Sequence, residues 1–192
     1  HVLWANSRYR GADYALIMEK VACDLGEAIC DAKERLGYSN IVLAGWSGGG
    51  SLMMWYQALA EAGAGISDTA AGDPYTVAAS RLPAASSIMM LAAHVSRHRI
   101  FTEWLDPSIS DESQPNLRDA QLNLYDAGNP NQPPYSADFL EHFAQAQVAR
   151  NRRITAWVKE KLAVIRSSDS PWSEFAFTVH GTMADPRWLD PS

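Results

Sequence analysis

A serine set among glycines is the residue of this chain whose surroundings best suit nucleophilic chemistry. Ser47 stands in the segment Gly45-Trp46-Ser47-Gly48-Gly49. A serine hydroxyl attacks a carbonyl only when it is exposed, has a base to take its proton, and has N–H donors nearby for the developing oxyanion. A sharp turn from a strand into a helix supplies both the exposure and the donors.

The elements next to Ser47 are predicted to form such a turn. Residues 41–44 are a continuous aliphatic run, typical of a parallel strand covered on both faces. A helix is predicted from about residue 49 to 62, ended by Gly63. Glycines at 45, 48 and 49 remove Cβ atoms that would clash, and Gly48 can present its N–H to an oxyanion. A glycine-rich turn without a catalytic role is the alternative.

The rest of the chain alternates strand-like and helix-like patterns. Further strands are predicted at residues 2–5, 87–93 and 174–180, and a loop is predicted at 65–83. Further helices are predicted at 13–36, 137–147 and 150–165. Asp13 would cap the first of these helices, and Gly37 would end it. This order predicts an α/β fold with a mostly parallel sheet and crossover helices. We predict a first part of the core over residues 1–93, a helical insertion over 94–171, and a strand that returns to the core within 172–192.

The segment Ile41-Val42-Leu43-Ala44-Gly45-Trp46-Ser47-Gly48-Gly49-Gly50-Ser51 resembles the nucleophile elbow of α/β-hydrolases. From residue 6 to this elbow, the chain is most similar to bacterial α/β-hydrolases of unassigned substrate. The resemblance implies an incomplete α/β-hydrolase core with a helical cap. It also implies a serine hydrolase that cleaves a carboxylic ester, thioester or related acyl bond through an acyl-enzyme on Ser47, with no metal or organic cofactor. Trp46 would either pack in the core or form a wall of the substrate pocket.

The resemblance also implies a catalytic acid and a histidine. In the family the acid commonly follows a strand that ends in His-Gly, and Asp185 fits this position, with Asp190 as the second candidate. An Asp-Pro turn is the alternative role of Asp185. The family's histidine follows the acid, but no histidine follows Asp185 here. We therefore expect the histidine, and the second oxyanion donor, outside these 192 residues; otherwise the base is rebuilt from His94 or His98.

The predicted cap decides which substrate such a site takes. Six aromatic side chains could line an apolar cleft, or could simply hold the cap together: Trp104, Tyr125, Tyr135, Phe139, Phe143 and Trp157. The same elbow also serves hydrolases of carbon–carbon or lactone bonds. The alternative from a different functional class is a non-catalytic protein that uses the same fold as a binding module.

Composition narrows the partners. A net charge of -6 disfavours nucleic acid, and no apolar run is long enough to cross a bilayer. Cys23 and Cys30 lie about 10.5 Å apart along one predicted helix, which is too far for a disulfide. With no secretory signal in the sequence, these features predict a cytoplasmic protein that binds a small molecule with an acyl or carbonyl group.

Overall fold

The computed structural model of the chain combines helices with a small parallel sheet, so the predicted mixture of α and β elements is confirmed. It describes residues 1–11, 16–167 and 175–190. The chain divides into two compact units, His1–Arg97 and His98–Ser192. In neither unit do the described residues form a helix that is both long and apolar enough to span a membrane.

The first unit holds most of the regular structure. Its elements are α1 (Met18–Glu34), β1 (Val42–Trp46), α2 (Gly48–Glu61), β2 (Ile66–Asp68), β3 (Pro74–Val77) and β4 (Ser87–Leu91). Strands β1 and β4 pair in parallel, with Gly45 opposite Met90 and Trp46 opposite Leu91. The sheet therefore brings the ends of β1 and β4 together beside Ser47.

Helix α1 follows the predicted helix only in part. It begins at Met18, after the extended residue Ile17, and the proposed cap Asp13 lies outside the described residues. The predicted end at Gly37 is confirmed, because this residue has φ +74° and the Tyr38 N–H donates to the carbonyl of Ala32. A left-handed glycine ends a helix at little steric cost.

The core of the first unit covers one face of the sheet. Leu43 packs in a buried cluster with Ala22 of α1 and Tyr56 of α2. Burial alternates along β1, where Leu43 and Gly45 are buried and Val42 and Trp46 are exposed. The prediction of a strand covered on both faces is therefore wrong, because α1 and α2 cover the Leu43 side and the side chains of the opposite face are exposed.

Two predictions about the first unit are corrected. Residues 2–5 form no strand, and the side chains of Val2 and Trp4 are 95% and 84% exposed, because this segment pairs with neither β1 nor β4. The predicted loop 65–83 instead contains the antiparallel pair β2 and β3, with Ile66 opposite Val77. Both of these apolar residues are buried, which the Gly- and Asp-rich composition around them concealed.

The second unit is built on one long helix. Helix α3 (Arg97–Glu103) starts at the last residue of the first unit, and α4 runs without a break over Ala137–Ser167. The prediction of separate helices at 137–147 and 150–165 is wrong, because no glycine or proline lies between them. Phe139 and Phe143 pack with Leu122 and Leu124 in the core of this unit.

The predicted return strand is absent from its described part, residues 175–180. The fully buried guanidinium of Arg150, on α4, donates to the carbonyls of His180 and Gly181 and forms an ion pair with Glu112. A helix side chain thus takes the place that a neighbouring strand would have. The sheet of β1 and β4 is too small to identify an α/β-hydrolase core, and the division into core, cap and returning core stays a prediction.

Candidate active site

Ser47 has a strained backbone at the junction of β1 and α2. Its φ is +53° and its ψ is -122°, a conformation that residues with side chains rarely adopt. The Ser47 N–H donates to the carbonyl of Leu91 at 3.0 Å, and the Ser47 carbonyl accepts from the N–H of His94 at 3.0 Å. The end of β4 therefore holds this residue through both of its backbone polar groups, in the sharp turn that the sequence predicts.

Two of the nearby glycines leave no room for a Cβ atom, and at a third, Gly48, a Cβ would require the side chain of Arg97 to move. A Cβ on Gly45 would lie 2.8 Å from the backbone of Gly49, and one on Gly48 would lie 2.7 Å from Nη2 of Arg97. A Cβ on Gly50 would overlap that of Ala93, whereas one on Gly49 would meet nothing within 4 Å. The prediction that Gly49 is needed for space is wrong, because the side of α2 packed against the segment after β4 carries Gly50 instead.

His94 lies within hydrogen-bonding distance of the candidate nucleophile. Its Nε2 is 3.2 Å from Oγ of Ser47, and both residues are partly buried. His94 follows β4 after a second strained residue, Ala92, whose φ is +44°. In the tautomer protonated on Nδ1, Nε2 accepts the hydroxyl proton, which is the geometry required of a general base. Of the two possible replacement bases named from the sequence, the structure brings His94 to Ser47; His98 is exposed and belongs to the second unit.

The first turn of α2 supplies N–H donors next to Ser47. Gly48 is buried and is the first residue of this helix, so its N–H has no partner within the helix. The partial positive charge at a helix N-terminus adds to the attraction for an oxyanion. The position of Gly48 agrees with its predicted role as an oxyanion donor, which stays a prediction.

Arg97 is a neighbour of this turn that the sequence argument missed. Its guanidinium lies against Gly48, and its Nε is buried without a hydrogen-bond partner among the described residues. The sequence carried one usable signal, the basic segment Arg97-His98-Arg99 shortly after the strand 87–91. The position of Arg97 depends on the turn through Ala92, which composition does not reveal.

Asp185 lies in the second unit and has a structural role there. It is 3% exposed and caps a short 3-10 helix by accepting from the N–H of Arg187 at 3.0 Å. Nε of Arg187 donates to both oxygens of the Asp185 carboxylate at 2.9 Å, which raises the pKa of the Arg187 guanidinium. The Asp-Pro turn is therefore observed, whereas the role of triad acid stays a prediction. The second candidate, Asp190, accepts from the N–H of Tyr135.

Some of the aromatic side chains predicted to line a substrate pocket pack in a core, and others are exposed. Trp46 is 74% exposed, so its core-packing alternative is wrong and the pocket wall stays a prediction. Phe139 and Phe143 help to hold the second unit together. Tyr125 instead lines an open depression of about 480 Å³ that also involves Asp106 and Arg118.

Comparison with known proteins identifies no relative of this chain. No protein-family model, no curated protein and no solved structure matches the chain. The described residues also contain no group of three or more His, Cys, Asp or Glu side chains that could hold a metal ion. What the first unit does bring together is a hydroxyl, an imidazole and a helix N-terminus, the groups that acyl transfer requires.

Proposed function

We propose that the chain is a serine hydrolase of the α/β-hydrolase type that cleaves a carboxylic ester, thioester or related acyl bond. The observation that carries this proposal is Ser47 itself, which combines a φ of +53° with an Oγ only 3.2 Å from Nε2 of His94. A serine in such a conformation costs about 1–3 kcal/mol of stability, and strain of this kind clusters at functional sites. A glycine-rich turn without a catalytic role would have no need of this strain.

The reaction follows from the contacts around Ser47. His94 takes the hydroxyl proton while Oγ attacks the carbonyl carbon, and the N–H of Gly48 donates to the oxyanion of the tetrahedral intermediate. The intermediate collapses with loss of the alcohol or thiol, which receives the proton from His94. Water, activated by His94, then hydrolyses the acyl-enzyme and releases the carboxylic acid. Trp46 is proposed as one wall of the acyl pocket.

His94 replaces the base that the resemblance expects beyond Asp185. It is the histidine whose contact with Ser47 supports this role, so the proposal does not depend on a base outside these residues. Asp185 remains the proposed acid on the strength of the sequence pattern alone.

A fluorophosphonate probe tests the proposal, because it reacts covalently only with an activated serine. We expect it to label the wild-type protein at Ser47 and not to label Ser47→Ala. His94→Gln should slow labelling by about 100-fold or more, the usual contribution of a general base. His98→Gln is the matched control and should label at the wild-type rate.

Two outcomes would contradict parts of the proposal. A folded wild-type protein that stays unlabelled would favour the non-catalytic binding module. Normal labelling of His94→Gln, together with loss of labelling in Ser47→Ala, would support Ser47 as the nucleophile. It would also mean that the base is a residue other than His94.

A further inference from the structure

An arginine whose guanidinium pairs with no carboxylate in the described part of the chain stands beside the candidate nucleophile. Nη2 of Arg97 comes so close to Gly48 that a Cβ on this glycine would lie 2.7 Å away. Arg97 Nε is buried and without an acceptor, and no carboxylate of the described residues pairs with this guanidinium. A buried N–H that lacks an acceptor costs about 1–3 kcal/mol, so its presence calls for an explanation.

The position of Arg97 is also electrostatically unfavourable. Gly48 begins α2, and the N-terminal end of a helix carries a partial positive charge that favours anions and repels cations. The hydroxyl of Ser47 and the N–H of Gly48 carry no negative charge that would offset that of the guanidinium. Local conflicts of this kind are expected at functional sites.

We infer that Arg97 binds an anionic group of the substrate, so that the acyl bond cleaved at Ser47 belongs to a molecule carrying a carboxylate near its scissile carbonyl. This inference rests on the proposed function. A guanidinium pairs with a carboxylate through two parallel hydrogen bonds, which a protein with a net charge of -6 needs in order to hold an anion. The ligand chemistry is therefore that of a half-ester or half-thioester of a dicarboxylic acid.

The distance sets the length of this substrate. Gly48 and Ser47 are adjacent, so Nη2 of Arg97 lies within about 8 Å of the Ser47 Cα. A chain of two or three carbons between the carbonyl and the carboxylate fits this span. Succinate and glutarate half-esters are accordingly the substrates to test.

The kinetic experiment compares two esters of equal length. We expect the wild-type protein to prefer mono-p-nitrophenyl succinate over neutral p-nitrophenyl butyrate in kcat/KM. Arg97→Gln should lower kcat/KM for the succinate ester by about 10- to 100-fold and leave the butyrate ester within about threefold. Arg97→Lys, which keeps the charge, should retain part of the preference. Arg35→Gln removes the same charge from an exposed ion pair with Asp31 and should change neither value.

A binding experiment tests the anion site separately from catalysis. In the Ser47→Ala variant, titration with succinamate, an inert anionic analogue, should show saturable binding that neutral succinamide lacks. Adding Arg97→Gln should abolish this binding, while circular dichroism confirms that the variant is folded.

The outcomes separate this inference from the proposed function. Equal binding of succinamate with and without Arg97, or equal slowing of both esters in Arg97→Gln, would overturn the anion site. An unlabelled Ser47 with succinamate binding that still depends on Arg97 would instead refute the hydrolase and keep the anion site.

Discussion

The strained backbone of Ser47 connects a cost in stability with the chemistry proposed for this residue. Its hydroxyl approaches His94 only because the backbone turns through a positive φ, which Cβ opposes. The sequence predicted the identity of this residue from the flanking glycines. It named His94 only as one of two alternative bases. It could not choose between His94 and His98, because the path from Leu91 to His94 turns at Ala92, and an alanine gives no signal of a positive φ.

Two substitutions separate the hydroxyl from the strain. Ser47→Ala removes Oγ and keeps Cβ, whereas Ser47→Gly removes both, and glycine adopts a positive φ without penalty. We expect Ser47→Gly to be more stable than Ser47→Ala by about 1 kcal/mol, with both variants inactive. Urea unfolding of the two variants measures the difference. Equal stabilities would mean that the positive φ at residue 47 carries no strain.

At the scale of helices and strands, local sequence patterns were enough to predict part of the fold. Strands β1 and β4 and helix α2 occur within two residues of their predicted positions, because aliphatic runs and glycine ends are local signals. The strand predicted at 174–180 failed for a different reason. An apolar segment becomes a strand only beside another strand, and at the end of residues 175–180 the carbonyl of His180 accepts from Arg150 of α4 instead.

The packing of α2 against the end of β4 gives a matched pair of glycine variants. Gly50→Ala should destabilise the protein by about 1–3 kcal/mol, because its Cβ would overlap that of Ala93 in the segment leading to His94. Gly49→Ala meets no atom and should be neutral or stabilising by less than about 1 kcal/mol. Thermal unfolding followed by circular dichroism compares them. A Gly50→Ala variant as stable as Gly49→Ala would show that this contact is not as close as described.

At the scale of the whole molecule, each unit has its own buried cluster of apolar side chains. The cluster of the first unit includes Leu43 and Tyr56, and that of the second includes Phe139 and Phe143. The sequence indicated the mixture of helices and strands and the net charge of -6. It placed the start of the predicted cap at residue 94, whereas contacts between distant residues divide the chain after Arg97.

The free energy of unfolding at high pH should depend on the ionisation of Tyr56. This residue is fully buried, its hydroxyl donates to the carbonyl of Pro83 at 2.9 Å, and burial raises its pKa. An unfolded tyrosine loses its proton near pH 10, so the stability that Tyr56 contributes is present below pH 10 and lost as the pH rises further. We expect Tyr56→Phe to be less stable than wild type by about 1 kcal/mol at pH 8.

The pH dependence of that difference is the decisive measurement. Between pH 9 and 11 the gap in unfolding free energy between wild type and Tyr56→Phe should narrow by about 1 kcal/mol, because only the wild type loses the contribution of a buried hydroxyl. A gap that stays constant over this range would mean that Tyr56 titrates alike in the folded and unfolded protein.

The neighbour of Ser47 in the chain also has an optical consequence. The indole of Trp46 is 74% exposed, and it is joined through a single peptide bond to the candidate nucleophile. A collisional quencher dissolved in the buffer can therefore reach this fluorophore in the free protein. An acyl group resting against it would shield it, so the share of the quenching that residue 46 contributes among the seven tryptophans would fall when residue 47 is acylated.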